Sequence, residues 1–237
     1  MKELRLQKYL ADIGYSSRRN IEKLITQNKV FVNNEIAKLG IKVKNKDEVL
    51  IENKSFIINF DNVKNIKVLI YNKRPNEIVS RNDPLKRKTV FDKLPKLNNE
   101  RWVSVGRLDF NTSGLLLFTN SGEYANELMH PKSNIERIYI LKIKNKLTES
   151  IVKKLTYGII LDKKKSRFNK ISLYNVKNAS KYFWYKVSCT EGRYHFVKKM
   201  FLHFDIEIDK LKRIQYGKYI LPSDLKPGEY KILAPIK

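Results

Sequence analysis

The amino-acid sequence predicts an α+β protein in two parts: a small ααβ module over residues 1–61, then a larger domain over residues 62–237 with a mixed, largely antiparallel sheet. Three observations carry this. Apolar residues recur at helical spacing twice near the N-terminus, ahead of one short β-branched run. From residue 66 onward strand candidates outnumber helices. Several of those strands lie close together in the chain, which favours antiparallel neighbours over helix-linked parallel ones.

Leu6, Tyr9, Leu10 and Ile13 mark a first helix that Gly14 stops. Ser16 or Ser17 caps a second, whose apolar face is Ile21, Leu24 and Ile25. Val30, Phe31 and Val32 form a strand, with Asn33-Asn34 as its turn. Segment 53–65 has no Gly or Pro and reads as a connector. Strands are then expected at 67–71, 102–105, 115–118, 138–143 and 182–188, and helices at 122–129, 148–157 and 191–204. No internal repeat is present.

At 42% hydrophobic residues the chain can bury a core, and no apolar run approaches the ~20 residues of a membrane span. The N-terminal MKELRLQKYLADIG is a charged amphipathic helix without an apolar leader, so a cytoplasmic protein is expected. Cys189 is the one cysteine, which excludes an internal disulfide and a cysteine-rich zinc site. The net charge of +25, from 49 Lys and Arg against 24 Asp and Glu, is the mark of a polyanion binder. Lysine over-use contributes, since 37 of the 49 are Lys, but a compositional bias would raise Glu as well. Both parts are basic, at +5 over residues 1–60 and +20 over residues 61–237. The lysines are scattered rather than gathered on one amphipathic helix, which favours nucleic acid over a membrane surface.

Two loops could hold chemistry. Gly106-Arg107-Leu108-Asp109-Phe110-Asn111-Thr112-Ser113-Gly114 lies between apolar strands. Its carboxylate is therefore near the core yet reachable, and needs a cation or hydrogen bonds to stay ionised. Capping of a turn with Asn111 and Thr112 is the competing role. In the second loop Gly192 ends a strand and a helix follows, with Val197, Met200, Phe201 and Phe204 as its buried stripe. Arg193, His195, Lys198 and Lys199 fall away from that stripe and could meet phosphates or a buried acid. His195 is open to a general-base role or an RNA contact. Tyr139, in Arg137-Ile138-Tyr139, could stack on a base or fill the core. Arg18 and Arg19 sit in the first turn of the second helix, where the macrodipole disfavours cations. They fit an external anion such as RNA phosphate, or a solvated helix end. Nucleotide-binding glycine loops and zinc-protease or serine-hydrolase motifs do not occur, and no metal or organic cofactor is expected.

VGRLDFNTSGLLLFTNSGEYANELMHP (105–131) closely resembles the catalytic signature of bacterial ribosomal RNA pseudouridine synthases, in the group that joins the small-subunit enzyme of type A to the large-subunit enzymes of types B, E and F. The flanks RNDPLKRKTVFDKLPKL (81–97) and RWV (101–103) are most similar to the type B large-subunit enzymes of that group. EGRYHFVKKMF (191–201) resembles the third motif, LKPGEYKIL (225–233) the C-terminal strand, and residues 3–52 the S4-type RNA-binding module. The resemblance covers nearly the whole chain. It implies an S4-like RNA-binding domain over 1–61 and a catalytic domain over 62–237 that isomerises a uridine of ribosomal RNA, most similar to the large-subunit enzymes. It also implies that Asp109 is the essential aspartate, Tyr139 the tyrosine against the target base and Lys198 the basic partner of the aspartate. Arg107 and Arg193 then hold substrate, while Arg18, Arg19, Lys73 and Lys199 contact RNA.

The chain departs from the family pattern twice. Lys73-Arg74-Pro75-Asn76 stands where the family usually has Lys-Pro-x-Gly, and Asn28 where S4 modules often have Gly. Asn tolerates positive φ, so the first turn remains open to this sequence. The expected partner is ribosomal RNA or a ribosome assembly intermediate, met by a monomer and away from membranes. The alternatives are a synthase for a different uridine, in small-subunit rRNA, and a non-catalytic rRNA-binding assembly factor.

Overall fold

The computed structural model describes residues 3–60, 65–98, 100–175 and 181–234. The expected boundary between residues 61 and 62 falls outside the described residues. The N-terminal part runs β1 (Leu4–Arg5), α1 (Leu6–Asp12), α2 (Arg18–Thr26), β2 (Val30–Val32), β3 (Glu35–Ile36), β4 (Lys42–Val43), β5 (Glu48–Ile51) and β6 (Lys54–Ile57). The Ser17 hydroxyl accepts a hydrogen bond from the Asn20 amide at 3.1 Å, which caps α2 as the sequence predicts. Leu6, Leu10, Ile21, Ile25, Val49 and Ile51 pack into a core separate from the rest of the molecule.

α1, α2 and the strand Val30–Val32 stand as expected, but Leu4–Arg5 pair as a strand with Lys42–Val43 where the N-terminal stretch was expected to be helical, and the sheet is wider, in the order β3-β2-β5-β6. Segment 53–65 is therefore not a simple connector, because Lys54 pairs with Ile51 across a two-residue turn. Glu52 and Asn53 adopt φ +44° and +70° there. That mirror-image turn is usually announced by Gly or Asn-Gly, and without glycine it left little signal.

The larger part contains β7 (Val68–Lys73), β8 (Val103–Ser104), β9 (Thr112–Thr119), α3 (Gly122–Met129), β10 (Arg137–Ile143), α4 (Glu149–Tyr157) and β11 (Ile159–Leu161). It continues through β12 (Lys164–Ser166), β13 (Lys170–Asn175), β14 (Phe183–Cys189), α5 (Phe196–Leu202), β15 (Ile208–Tyr216), β16 (Tyr219–Ile220) and β17 (Tyr230–Ile232). The main sheet runs β13-β14-β10-β15-β9-β7-β17, with β8 on β9 and β16 on β15. Every pairing is antiparallel except β9 with β15, where Thr112, Ser113 and Gly114 lie beside Leu211, Lys212 and Arg213. The sheet is mixed and largely antiparallel, as the sequence predicts.

β7 and β9 are buried on both faces, which explains their uninterrupted apolar runs. Leu69, Tyr71, Leu116 and Phe118 join one cluster with Met200 and Phe201 of α5. Val68, Ile70, Leu115 and Leu117, one residue out of step, join another with Ala125 and Leu128 of α3. The period of two thus sends alternate side chains to opposite cores. The expected helix over 191–204 is shorter, because His195 takes φ +55° and the helix starts only at Phe196. The two parts touch where Lys8 pairs with Glu123, and where Gly14 packs on the backbone of Glu100. No helix among the described residues is long and apolar enough to cross a membrane.

Candidate active site

Asp109 sits on the excursion between β8 and β9, whose strands pair at Val103↔Thr119. Leu108 anchors this excursion in the core, while Asp109 keeps a quarter of its side chain exposed. Lys73 supports the loop from below. Its Nζ donates to the carbonyls of Phe110 at 3.1 Å, Thr112 at 2.8 Å and Arg74 at 2.9 Å. In the preceding turn Asn76 takes the left-handed conformation at φ +65°, and its amide donates to the Phe110 carbonyl at 2.8 Å. A backbone bond from the Thr112 amide to the Asp109 carbonyl, 3.0 Å, closes the turn.

Two basic side chains reach the carboxylate from α5 and its approach. Lys198 Nζ lies 3.4 Å from Oδ2, and His195 Nε2 lies 3.2 Å from Oδ1. α5 can present Lys198 outward because Val197, Met200 and Phe201 occupy its buried face. His195 is held in the left-handed region with its ring stacked on Tyr194, centroids 3.7 Å apart. Non-glycine residues rarely adopt that conformation, and it places the imidazole at the carboxylate.

Asp109 opens into a cavity of about 800 Å³. Tyr139, Leu211 and Arg213 line it together with His195 and Lys198. Eight lysines and arginines border it against two carboxylates, Asp109 and Glu191, which suits a polyanionic ligand. Among the described residues no group of three His, Cys, Asp or Glu side chains is placed to hold a metal ion.

The structure gathers Asp109, Arg107, Tyr139, Arg193 and Lys198 around this one cavity. Arg107 is exposed at its rim. Tyr139 is almost fully buried, and that burial pushes its phenol pKa up. Arg193 is already engaged as a brace, with Nε on Glu191, Nη1 on the Leu161 carbonyl and Nη2 on the Ser166 hydroxyl. Lys199 lies outside the cavity, paired with Asp162 at 2.8 Å. Arg18 and Arg19 are exposed in the first turn of α2, with Arg18 beside Gly122 at the start of α3.

Lys73 requires a correction. It is fully buried and saturated by three carbonyls, so it cannot meet RNA phosphate as expected. Sequence reasoning also passed over Arg213, Lys164, Lys165 and Arg167 as cavity residues. In a chain with 37 lysines a Lys-Lys-Lys run carries no contrast.

Residues 67–203 match the RNA pseudouridylate synthase family, and residues 4–49 match the S4 domain. The chain is 44% identical over 235 residues to ribosomal large subunit pseudouridine synthase B of Buchnera aphidicola subsp. Schizaphis graminum (strain Sg), covering 98% of this chain and 91% of that protein. It is 40% identical over 226 residues to the protein of that name from Yersinia pestis, covering 94% and 70%. A crystal structure of a pseudouridylate synthase superposes with a TM-score of 0.66 at 26% identity, over 98% of this chain and 96% of that one.

Proposed function

The chain belongs to the RNA pseudouridylate synthase family, and from that premise we propose that Asp109 is the catalytic residue acting on a uridine of large-subunit ribosomal RNA, flipped into the Asp109 cavity. The observation that carries this reading is a carboxylate at the mouth of a basic cavity with Lys198 and His195 within 3.4 Å. Flipping costs roughly a few kcal/mol of lost stacking, which the cationic rim offsets through the phosphates. The C1′–N1 bond then breaks, the uracil turns in place, and C5 bonds to C1′. Attack by the carboxylate at C1′ or C6, and removal of the 2′ proton, all use the same ionised oxygen. Lys198 Nζ faces the carboxylate at 3.4 Å from Oδ2. Tyr139 forms one wall for the turning base, and no cofactor is needed. Arg107 holds the RNA at the rim, and Arg193 shapes the wall by bracing β11 and β12.

The division into a domain over 1–61 and one over 62–237 assigns RNA capture to the first and chemistry to the second, with Arg18 and Arg19 on phosphates. The enzyme works as a cytoplasmic monomer. Its substrate is an unfinished ribosomal particle or free rRNA, where a uridine can still be extruded. Free large-subunit rRNA should react faster than mature ribosomes, and equal rates would refute that part.

The deciding experiment is Asp109→Asn, read by tritium release from C5-labelled uridine beside RNA binding and melting. Asn caps turns as well as Asp does, so fold and affinity should persist while turnover disappears. Turnover near the parent level would falsify the assignment.

A further inference from the structure

Two arginines are buried under the cavity, bonded to carbonyls and a hydroxyl rather than to carboxylates. Arg137 donates through Nη1 to Ile135 and Thr190 carbonyls and through Nη2 to the Tyr216 hydroxyl. Arg213, 3% exposed, donates through Nε to the Leu115 carbonyl at 2.8 Å. Its Nη2 is buried and has no hydrogen-bond partner among the described residues. Its Cζ lies 5.0 Å from the centroid of the Tyr216 ring, and a buried guanidinium with one N–H group still unmatched gains from an electron-rich ligand.

Its position is tightly fixed. Arg213 lies opposite Tyr139 on one side and Gly114 on the other. Gly114 has φ +97°, and a Cβ there would fall 2.2 Å from the Arg213 carbonyl, so only glycine lets the end of the Asp109 loop close on β15. Leu211, two residues earlier on the same strand, also lines the cavity.

We propose that Arg213 is a further catalytic residue, whose Nη2 receives the negative charge that collects on the uracil as the C1′–N1 bond breaks. This rests on the cavity being the uridine site. When that bond breaks, its electron pair stays on the base, giving a uracil anion with charge shared over N1, O2 and O4. C1′ is left electron-poor and is satisfied by an Asp109 oxygen or by loss of the 2′ proton to it. C5 then supplies the pair for the C1′–C5 bond, Asp109 returns the 2′ proton to C2′ if that proton was removed, the C5 proton leaves to solvent, and N1 takes up a proton, so the product is an isomer. A donor fixed beside the base stabilises its anion more than its neutral form, which accelerates cleavage rather than binding. The Tyr139 hydroxyl lies beside the same guanidinium, which favours the phenolate, but burial outweighs it and keeps the phenol protonated.

The test uses RNA with uridine or 5-fluorouridine at the target position, reading single-turnover loss of the substrate nucleoside. Fluorine withdraws charge and stabilises the base anion by itself. Arg213→Met should lose about 10²-fold on uridine and about tenfold less than that on 5-fluorouridine, with Arg213→Lys between it and the parent. The ratio of the two rates is taken within one preparation, so a misfolded fraction cancels. Equal losses on both substrates would make Arg213 a packing residue and overturn the proposal. Weaker RNA binding with a shallower salt slope and an unmoved ratio would make it a phosphate contact, and would overturn it equally. Asp109→Asn run in parallel separates the two readings. Its continued turnover would sink the cavity assignment, whereas an inactive Asp109→Asn with an unmoved Arg213→Met ratio would sink Arg213 alone.

Discussion

The ground beneath the Asp109 loop and the shoulder above it each hold one lysine, in opposite circumstances. Beneath, Lys73 at the end of β7 is fully buried and bonded only to backbone carbonyls. On the shoulder, Lys198 of α5 is a third exposed and faces the carboxylate at 3.4 Å. Burial pulls the Lys73 pKa down to about 8, against the nearby negative charge of Glu77 and Asp109. The same side chain thus serves as a backbone fastener in one place and as an electrostatic partner in the other. Surroundings, not residue type, divide geometry from chemistry.

Substituting each lysine in turn is the direct way to break this comparison. Lys198→Met should have the largest effect, slowing turnover by about 10²–10³-fold, as for loss of a transition-state electrostatic contact. Its melting temperature should hardly move, and a parallel fall in stability would erase the distinction. Lys73→Met should reverse the pattern. Carbonyls that lose their donor destabilise the fold by about 1–3 kcal/mol, measurable by urea unfolding, and turnover should fall only as the loop loosens. Replacing Arg18 and Arg19 with Ala tests cations that touch neither loop. The log–log salt slope of rRNA binding should fall by about one unit per lost phosphate contact, with turnover at saturating RNA preserved.

The smallest effect is a pH dependence. Lys73 titrates near 8 when folded and near 10.5 when unfolded. Between those values the unfolded chain binds more protons, so stability contributed by this site rises with pH across the window. Subtracting the Lys73→Met unfolding curve from the parent curve isolates that slope. A flat difference would mean the buried amine does not titrate separately from the bulk lysines.

Much of this was legible in the sequence, for identifiable reasons. The run at 115–118 defined β9, since both faces of β9 are apolar, and the helix expected over 122–129 is α3. The glycine-bracketed loop made Asp109 a candidate that only the family resemblance set above turn capping, and the α5 stripe disclosed which way Lys198 points. β15 was invisible because its alternation is broken: Arg213 occupies an inward position where a strand would show an apolar residue. The start of α5 was misplaced because nothing in His195 announces positive φ. Lys73 was misjudged because two of its three acceptors come from a loop some forty residues away, a pairing that β7 and β9 create only once they lie together.

The parallel pairing of β9 with β15 has a consequence in time. It joins residues 112–114 to residues 211–213, so the ribosome must make about a hundred intervening residues before the two meet. The N-terminal core is complete by residue 58 and can fold long before that. During synthesis the nascent chain therefore passes through a stage with a finished S4 module and an unfinished sheet.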